Sequence, residues 1–307
     1  MNIAGISAWV NEKADDIRGE LVLGGQSLSL FEAKPVANVG TVKVPKFNVD
    51  IVKVSACSST PTGSTNLLQV SITTCQLDYL TEFCQSKLRA YFPAQIMSNN
   101  VLDEMMPYAE KITKQWQDEI QKEKERIAWL GSTAAGDCAG GLYGQLSGDT
   151  SRNKASGTTF YVGVTITASI IDDAVDAVYN ALPGNVKFNA GTPVYVFMSE
   201  AMFAWYRSWA VGAYGALSIG NAGQLTQGPL NMIDYVYNPN VKVVGIAALN
   251  NTQHIIAGAK DNFILLSNGQ SAEFKAGVSP YDSGIFYKWA EIFGVGYYEG
   301  GEIATSF

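Results

Sequence analysis

Residues 41–74 read TVKVPKFNVDIVKVSACSSTPTGSTNLLQVSITT. Val42 and Val44 alternate with polar neighbours, Phe47, Val49 and Ile51 do the same, and Leu68, Val70 and Ile72 alternate on the way back. A period of two is the mark of a strand with one apolar face. Between the runs lies CSSTPTGSTN, a turn cluster that includes Pro61 and Gly63. The stretch therefore predicts one long hairpin, with phase changes near Pro45 and Ile51. Its outgoing arm, residues 41–54, reaches ~45 Å at ~3.3 Å per residue. That is more than twice the usual strand, and an isolated two-stranded ribbon is only marginally stable. Such a hairpin must lie on its own domain or on a neighbour, and this requirement constrains the whole chain.

The residues after the hairpin predict two helices. Thr73 and Gln76 have capping-box spacing, and Leu77, Leu80, Cys84, Leu88 and Tyr91 recur at steps of three and four, up to Pro93 and the SNN at 98–100. The second helix, PYAEKITKQWQDEIQKEKERIAWL over 107–130, holds ten charged residues, five of each sign, in a chain that is 16% charged. Pro107 suits its first turn and Gly131 its end. Ala109, Ile112, Trp116, Ile120, Ile127 and Leu130 form one thin apolar line, interrupted by Glu123 and Lys124. Glu110→Lys114 and Asp118→Lys122 are favourably oriented pairs. At 1.5 Å per residue the helix spans ~36 Å. It should touch the body along one edge and turn its remaining circumference to water or to other chains.

Residues 131–158 hold seven glycines without a sustained period. They read as a flexible connection at a domain boundary. Beyond them strands and helices alternate. FYVGVTI predicts a strand, ASIIDDAVDAVYNALPG a helix, TPVYVFMS a strand, and SEAMFAWYRSWAV a helix capped by Ser199. A loop-rich stretch covers 212–239. Three strands follow in VKVVGIAAL, HIIAGAK and NFILLSNG, and the alternation of Ile285, Tyr287 and Trp289 opens a Gly-broken final strand. Residues 1–30 read as an arm with little core of its own.

Chemistry is sparse. Net charge is −7, so the chain as a whole does not attract nucleic acid. No apolar run approaches the ~18 residues of a membrane span, and the N-terminus lacks the basic region of a signal peptide. Cys57, Cys75, Cys84 and Cys138 have no metal or redox spacing, and four free thiols are expected. His254, the only histidine, begins an apolar strand and reads as structural rather than catalytic. AGGLYGQLSG lacks the Lys-Ser/Thr of a phosphate loop. Asp172–Asp173 and Asp118–Glu119 are neighbours on helices, which do not face each other. The aromatics of FAWYRSWAVGAY, which ends on Tyr214, and of GYY at 296–298 suit core or interface packing better than a carbohydrate platform. Charge well below the ~25% of soluble domains, with many aromatics, has the composition of an interface.

In their order, these parts resemble the major capsid proteins of tailed bacteriophages, the chainmail capsid fold of phage Hong Kong ninety-seven. VKVPKFNVDIVKVSACSSTPTGSTNLLQVSITT is similar to the extended loop, and PYAEKITKQWQDEIQKEKERIAWLG to the spine helix. TPVYVFMSEAMFAWYRSWA is similar to a strand–helix unit of the axial domain, NVKVVGIAALNNTQHIIAGAKDNFILLSNG to its returning strands, and FYKWAEIFGVGYYEGGEIAT to the closing strand of the peripheral domain. The resemblance implies an α+β phage major-capsid fold. Its parts are an N-terminal arm at 1–30, an extended hairpin loop at 31–76, a peripheral domain at 77–160 with its spine helix at 107–130, an axial domain at 161–272, and closing strands at 273–307.

The resemblance also implies a structural protein rather than an enzyme, without cofactor or metal. Many copies would form hexamers and pentamers of an icosahedral head, assembled in the host cytoplasm. The head encloses double-stranded DNA without sequence-specific binding and without a membrane. With about thirty residues ahead of the hairpin, scaffolding is expected from a separate protein, beside a portal and decoration proteins. Residues expected to meet neighbours are Lys43, Lys46 and Lys53 on the hairpin, Pro61 and Gly63 at its tip, Trp116, Glu119 and Arg126 on the spine helix, and Tyr214. None of the three lysines matches a cross-linking site, and no cross-link is expected. Two alternatives stand beside this reading. One is an encapsulin-like compartment shell, and the other, of a different class, is a glycan-binding domain or hydrolase.

Overall fold

The structure, a computed structural model, describes residues 12–23, 27–49, 65–83, 102–135, 140–157, 164–189, 191–214, 231–250, 252–269, 273–278 and 285–307, with Gly25, Asp137 and Phe160 between them. The described strands form two six-stranded sheets. The first runs β1 (Glu32–Pro35), β9 (Phe263–Ser267), β11 (Ile285–Tyr297), β3 (Thr65–Phe83), β2 (Gly40–Val49), and β10 (Glu273–Val278) also pairs with β11. The second runs β4 (Asn153–Lys154), β12 (Ile303–Thr305), β8 (Ile256–Ala259), β5 (Val194–Ser199), β7 (Asn238–Ile246), β6 (Asn231–Tyr235).

The hairpin is there. β2 and β3 pair antiparallel from Gly40↔Thr74 to Val49↔Thr65, and the register passes Pro45↔Gln69 without a shift. The expected phase change at Pro45 is therefore absent, because a proline on an edge strand needs no ladder partner for its missing N–H. The phase change near Ile51, with Lys53, Pro61 and Gly63, lies outside the described residues.

The helix expected from Thr73 is a strand as far as Phe83, and residues 84–91 lie outside the described residues. Residues 75–83 pair antiparallel with 293–285 of β11. Cys75, Leu77, Tyr79 and Thr81 turn inward while Gln76, Asp78, Leu80 and Glu82 face out. Leu80, which supplied the helical spacing, is 71% exposed. The inward row has a period of two, and its partner strand lies more than two hundred residues away, so tertiary pairing overrides the local pattern.

Five described helices matter here: α1 (Ala14–Leu23), α2 (Leu102–Leu130), α3 (Leu142–Gly148), α4 (Ile171–Ala181) and α5 (Glu200–Tyr214). α2 begins five residues before Pro107, which therefore lies in its second turn rather than its first. α4 and α5 follow the sequence closely. Ile171, Val175 and Val178 of the one and Met202, Phe203 and Tyr206 of the other bury against Val196, Met198 and Val243 of the second sheet. Each such side chain contributes ~1.5–3 kcal/mol on leaving water. Ser199 Oγ accepts the Met202 N–H at 3.3 Å, which is the expected cap.

Between the sheets Phe31, Trp129, Phe197 and Phe263 meet edge-on, stacked or tilted, with ring centroids 5.0 to 6.1 Å apart. Along α2, Trp116 and Ile120 pack on Phe274, Tyr287 and Trp289 of the first sheet, joined by Ile17 and Leu21 of α1.

Five other expectations change. Residues 1–30 do contribute core, since Ile17, Leu21, Leu28 and Leu30 are buried. The Gly-rich stretch is not a free linker. Leu142 and Leu146 of α3 are fully buried, and β4 joins the second sheet through β12. Gly141 passes so close to the end of α2 that a Cβ would stand 2.6 Å from the Trp129 carbonyl oxygen. Residues 164–166, the end of the expected strand FYVGVTI, are irregular. The stretch 212–239 contains β6, an edge strand on β7. Finally, Cys75 is disulfide-bonded rather than free, and the other three cysteines lie outside the described residues.

Candidate functional site

The groups that could have formed a catalytic centre are occupied structurally. His254 stacks on Tyr143 at 4.3 Å and meets Phe307 at 4.7 Å, and burial pushes its pKa down. Asp176 accepts the Tyr235 hydroxyl at 2.6 Å, and burial raises its pKa, while Asp173 beside it faces solvent. Among the described residues no three His, Cys, Asp or Glu side chains gather as metal ligands, and no helix is long and apolar enough to cross a membrane. Tyr206 is buried and Trp209 packs against it at 5.5 Å, so of this aromatic cluster Trp205 stands out as exposed, at 36%.

The charged helix holds the unexpected feature. Lys124 and Glu125, in the stretch that interrupts the apolar line, are 1% and 4% exposed. Lys124 Nζ lies 2.8 and 3.1 Å from the two carboxylate oxygens of Glu291 on β11 and donates to the Leu21 carbonyl at 2.7 Å. That carbonyl is in the last turn of α1, where helix carbonyls lack partners and a cation is favoured. The Glu125 carboxylate accepts the Ser27 hydroxyl at 2.7 Å, the Ser27 N–H and the Leu28 N–H at 3.2 Å. Those amides open the 3-10 turn Leu28–Leu30, whose first N–H groups likewise have no partner within the turn.

Two consecutive residues of opposite charge thus cap the end of α1 and the start of the 3-10 turn that follows it. Trp129 Nε1 donates to Ser27 Oγ at 2.7 Å and closes the cluster. Between α1 and that turn, Gly25 has φ 131°, and a Cβ there would stand 2.9 Å from Glu125 Oε1, so glycine is required by both backbone and space. Burial holds the carboxyls of Glu125 and Glu291 above the ordinary range, against the donors that pull them down. Sequence reasoning missed this cluster because Lys and Glu are almost never buried unless paired, and the partners lie 103, 98 and 167 residues away.

The residues expected at interfaces fall into separate places. Lys43 is exposed on β2. Lys46 bridges to Glu302 at 3.0 Å with both side chains only 19% exposed. Trp116 is 6% exposed and donates to Thr81 Oγ1 at 3.0 Å, so it belongs to the subunit's own core. Glu119 faces solvent and pairs with Lys122 at 2.6 Å. Arg126 holds both Glu123 and Asp137, which raises its own pKa and lowers that of Asp137. Tyr214 ends α5, and its side chain, like Lys53, Pro61 and Gly63, lies outside the described residues.

A hairpin at the edge of one sheet, a long helix laid along that sheet and a second sheet covered by two helices define an α+β fold. No protein-family model and no curated protein matches the chain. Solved structures do. A chain of the satellite phage P4 procapsid including the size determination (Sid) protein superposes with TM-score 0.59 at 12% identity, over 95% of this chain and 89% of that one. A chain from the capsid of the empty GTA particle gives 0.53 at 10% identity, over 92% and 88%. A virus-like particle from Pyrococcus furiosus gives 0.50 at 9% identity, over 96% and 98%. At such identities the fold is what is shared, and this chain has the fold of phage capsid proteins.

Proposed function

We propose that this chain is the major capsid protein of a tailed double-stranded DNA bacteriophage, a structural subunit and not an enzyme. Copies assemble as hexamers and pentamers into the icosahedral head, in the host cytoplasm, with a separate scaffolding protein, a portal and decoration proteins. The shell encloses DNA without gripping it, which a net charge of −7 permits. The first sheet with α2 serves as the peripheral domain and the second sheet with α4 and α5 as the axial domain.

The observation that carries this reading is the likeness to a chain of the P4 procapsid over 95% of this chain. The length of hairpin expected from the sequence supports it, because a ribbon reaching ~45 Å wants a neighbour to lie on. Electron microscopy of the expressed protein, with scaffold supplied, tests it. Closed shells are expected, and a strict monomer at high concentration with scaffold present would overturn it. Deleting 57–66 should leave a folded subunit that no longer closes shells.

The likeness to the Pyrococcus furiosus virus-like particle, at near-complete coverage of both chains, favours a second reading, an encapsulin-like compartment shell. Particles that co-purify with a protein cargo and no DNA would decide for it.

A further inference from the structure

Two lysines and a backbone carbonyl at the hairpin base meet one tyrosine. Tyr298 follows β11 directly and is 7% exposed. Its ring centroid lies 5.5 Å from Lys46 Nζ. Its hydroxyl accepts from Lys34 Nζ and donates to the Pro45 carbonyl at 3.4 Å. Lys46 continues to Glu302 Oε2 at 3.0 Å. Lys34 is on β1, Pro45 and Lys46 are on β2, and Tyr298 and Glu302 follow β11. One cluster therefore ties β2, the edge strand among the described residues, to two points on the body.

On the β3 side the fit is steric. A Cβ at Gly296 would stand 2.8 Å from Ile72 Cδ1, and one at Gly294 2.8 Å from Thr74 Cγ2. These glycines let β3 cross β11 closely at 72–74, where β3 ends its pairing with β11 and continues along β2 alone. Beside the crossing a cleft of about 500 Å³ separates Val70–Ile72 from Asp149, Ser151 and the 297–301 turn. The hairpin base is thus held by the apolar packing of Val44 and Ile72 on Ile264, Leu266 and Tyr298, with the charged cluster at its edge and room at the cleft.

We infer that Lys34, Lys46, Tyr298 and Glu302 form a clasp that fixes the angle at which the hairpin leaves the subunit. Resting on the capsid reading, this makes the clasp a determinant of shell curvature, since the angle decides where the ribbon meets the next copy. These are positioning residues, and the partner they aim at is a second copy of this chain. A cation held over an aromatic face and in a half-buried ion pair is directional in a way a solvated lysine is not.

The test uses the full-length chain with scaffold. Lys46→Met with Tyr298→Phe should leave thermal unfolding nearly unchanged. Amide hydrogen exchange in 40–49 and 65–74 should become several-fold faster while β5 and β7 stay as protected as before. The variant should form shells of mixed size or open sheets where the parent forms one size. Lys46→Arg alone, which keeps a cation beside the ring and the pair with Glu302, should retain both the protection and the single size. If the parent forms shells and the first variant forms the same shells with unchanged hairpin exchange, the clasp is wrong. If the parent forms no shells, the capsid reading fails, and the exchange measurement still decides whether the cluster holds the hairpin.

Discussion

Helix α2 carries two ion pairs of the same residue types in opposite surroundings. Glu119 and Lys122 meet at 2.6 Å with side chains 73% and 67% exposed. Two residues further on, Lys124 meets Glu291 at 2.8 Å with both side chains at 1% or less. Water screens the first pair, and side-chain entropy offsets what attraction remains. The second has lost its water and survives because the Leu21 carbonyl and the Glu291 carboxylate replace it. The outer face of the helix makes a long surface soluble without adding net charge. The inner face uses charge to hold the arm, the helix and the first sheet in one arrangement.

The largest expected effect comes from breaking the inner pair. Lys124→Ala leaves Glu291 buried without its cation and should cost about 3–5 kcal/mol in urea unfolding. Lys124→Met with Glu291→Leu should recover most of that loss, because a matched apolar pair carries no desolvation cost. A loss for Lys124→Ala no larger than that of an outer-face alanine would erase the distinction between the two faces.

Next in size is the crowded end of the same helix. Gly141→Ala places a Cβ against the Trp129 carbonyl and should cost about 1–3 kcal/mol. Gly144→Ala, three residues on, meets open space inside α3 and should instead stabilise by about 0.5–1 kcal/mol. Thermal shifts of equal sign would show that α3 does not pack as described.

Glu125 gives a smaller, pH-dependent signal. Its carboxyl is held above the usual range by burial, so the folded state binds the proton more tightly than the unfolded chain. The stability this contributes is complete below pH ~4.3 and is lost as pH rises through the folded value. Glu125→Gln should remove that loss, flattening stability against pH above ~4.3 by up to about 1.4 kcal/mol per unit. An identical slope in parent and variant would mean that Glu125 is not desolvated. Smallest of all, Lys122→Ala should leave the urea midpoint unchanged within error, at low salt and high.

The contrast also explains what the sequence could disclose. The hairpin base, the body of α2, and α4 and α5 were legible because their apolar periods act over neighbouring residues, as in Val42–Val44 against Val70–Ile72. The strand at 75–83 was not, since Leu77 and Leu80 mimic a helical step and only β11 reveals the period of two. Lys124 and Glu125 read as solvated because their partners are scattered from Leu21 to Glu291. The packing of α3 did leave a trace. Leu142 and Leu146 are four residues apart, a signal submerged by the surrounding glycines. For the expected interface residues the sequence separated poorly, since Trp116 serves the core and Lys46 an internal bridge, while Lys43 and Glu119 remain at the surface.

The capsid account is tested most directly by the mass of the particle that the purified chain forms with scaffold present. A closed icosahedral shell predicts a sharp species of at least about 2 MDa, roughly sixty copies of a 33.0 kDa subunit. A single species at 33.0 kDa across the accessible concentration range would contradict it.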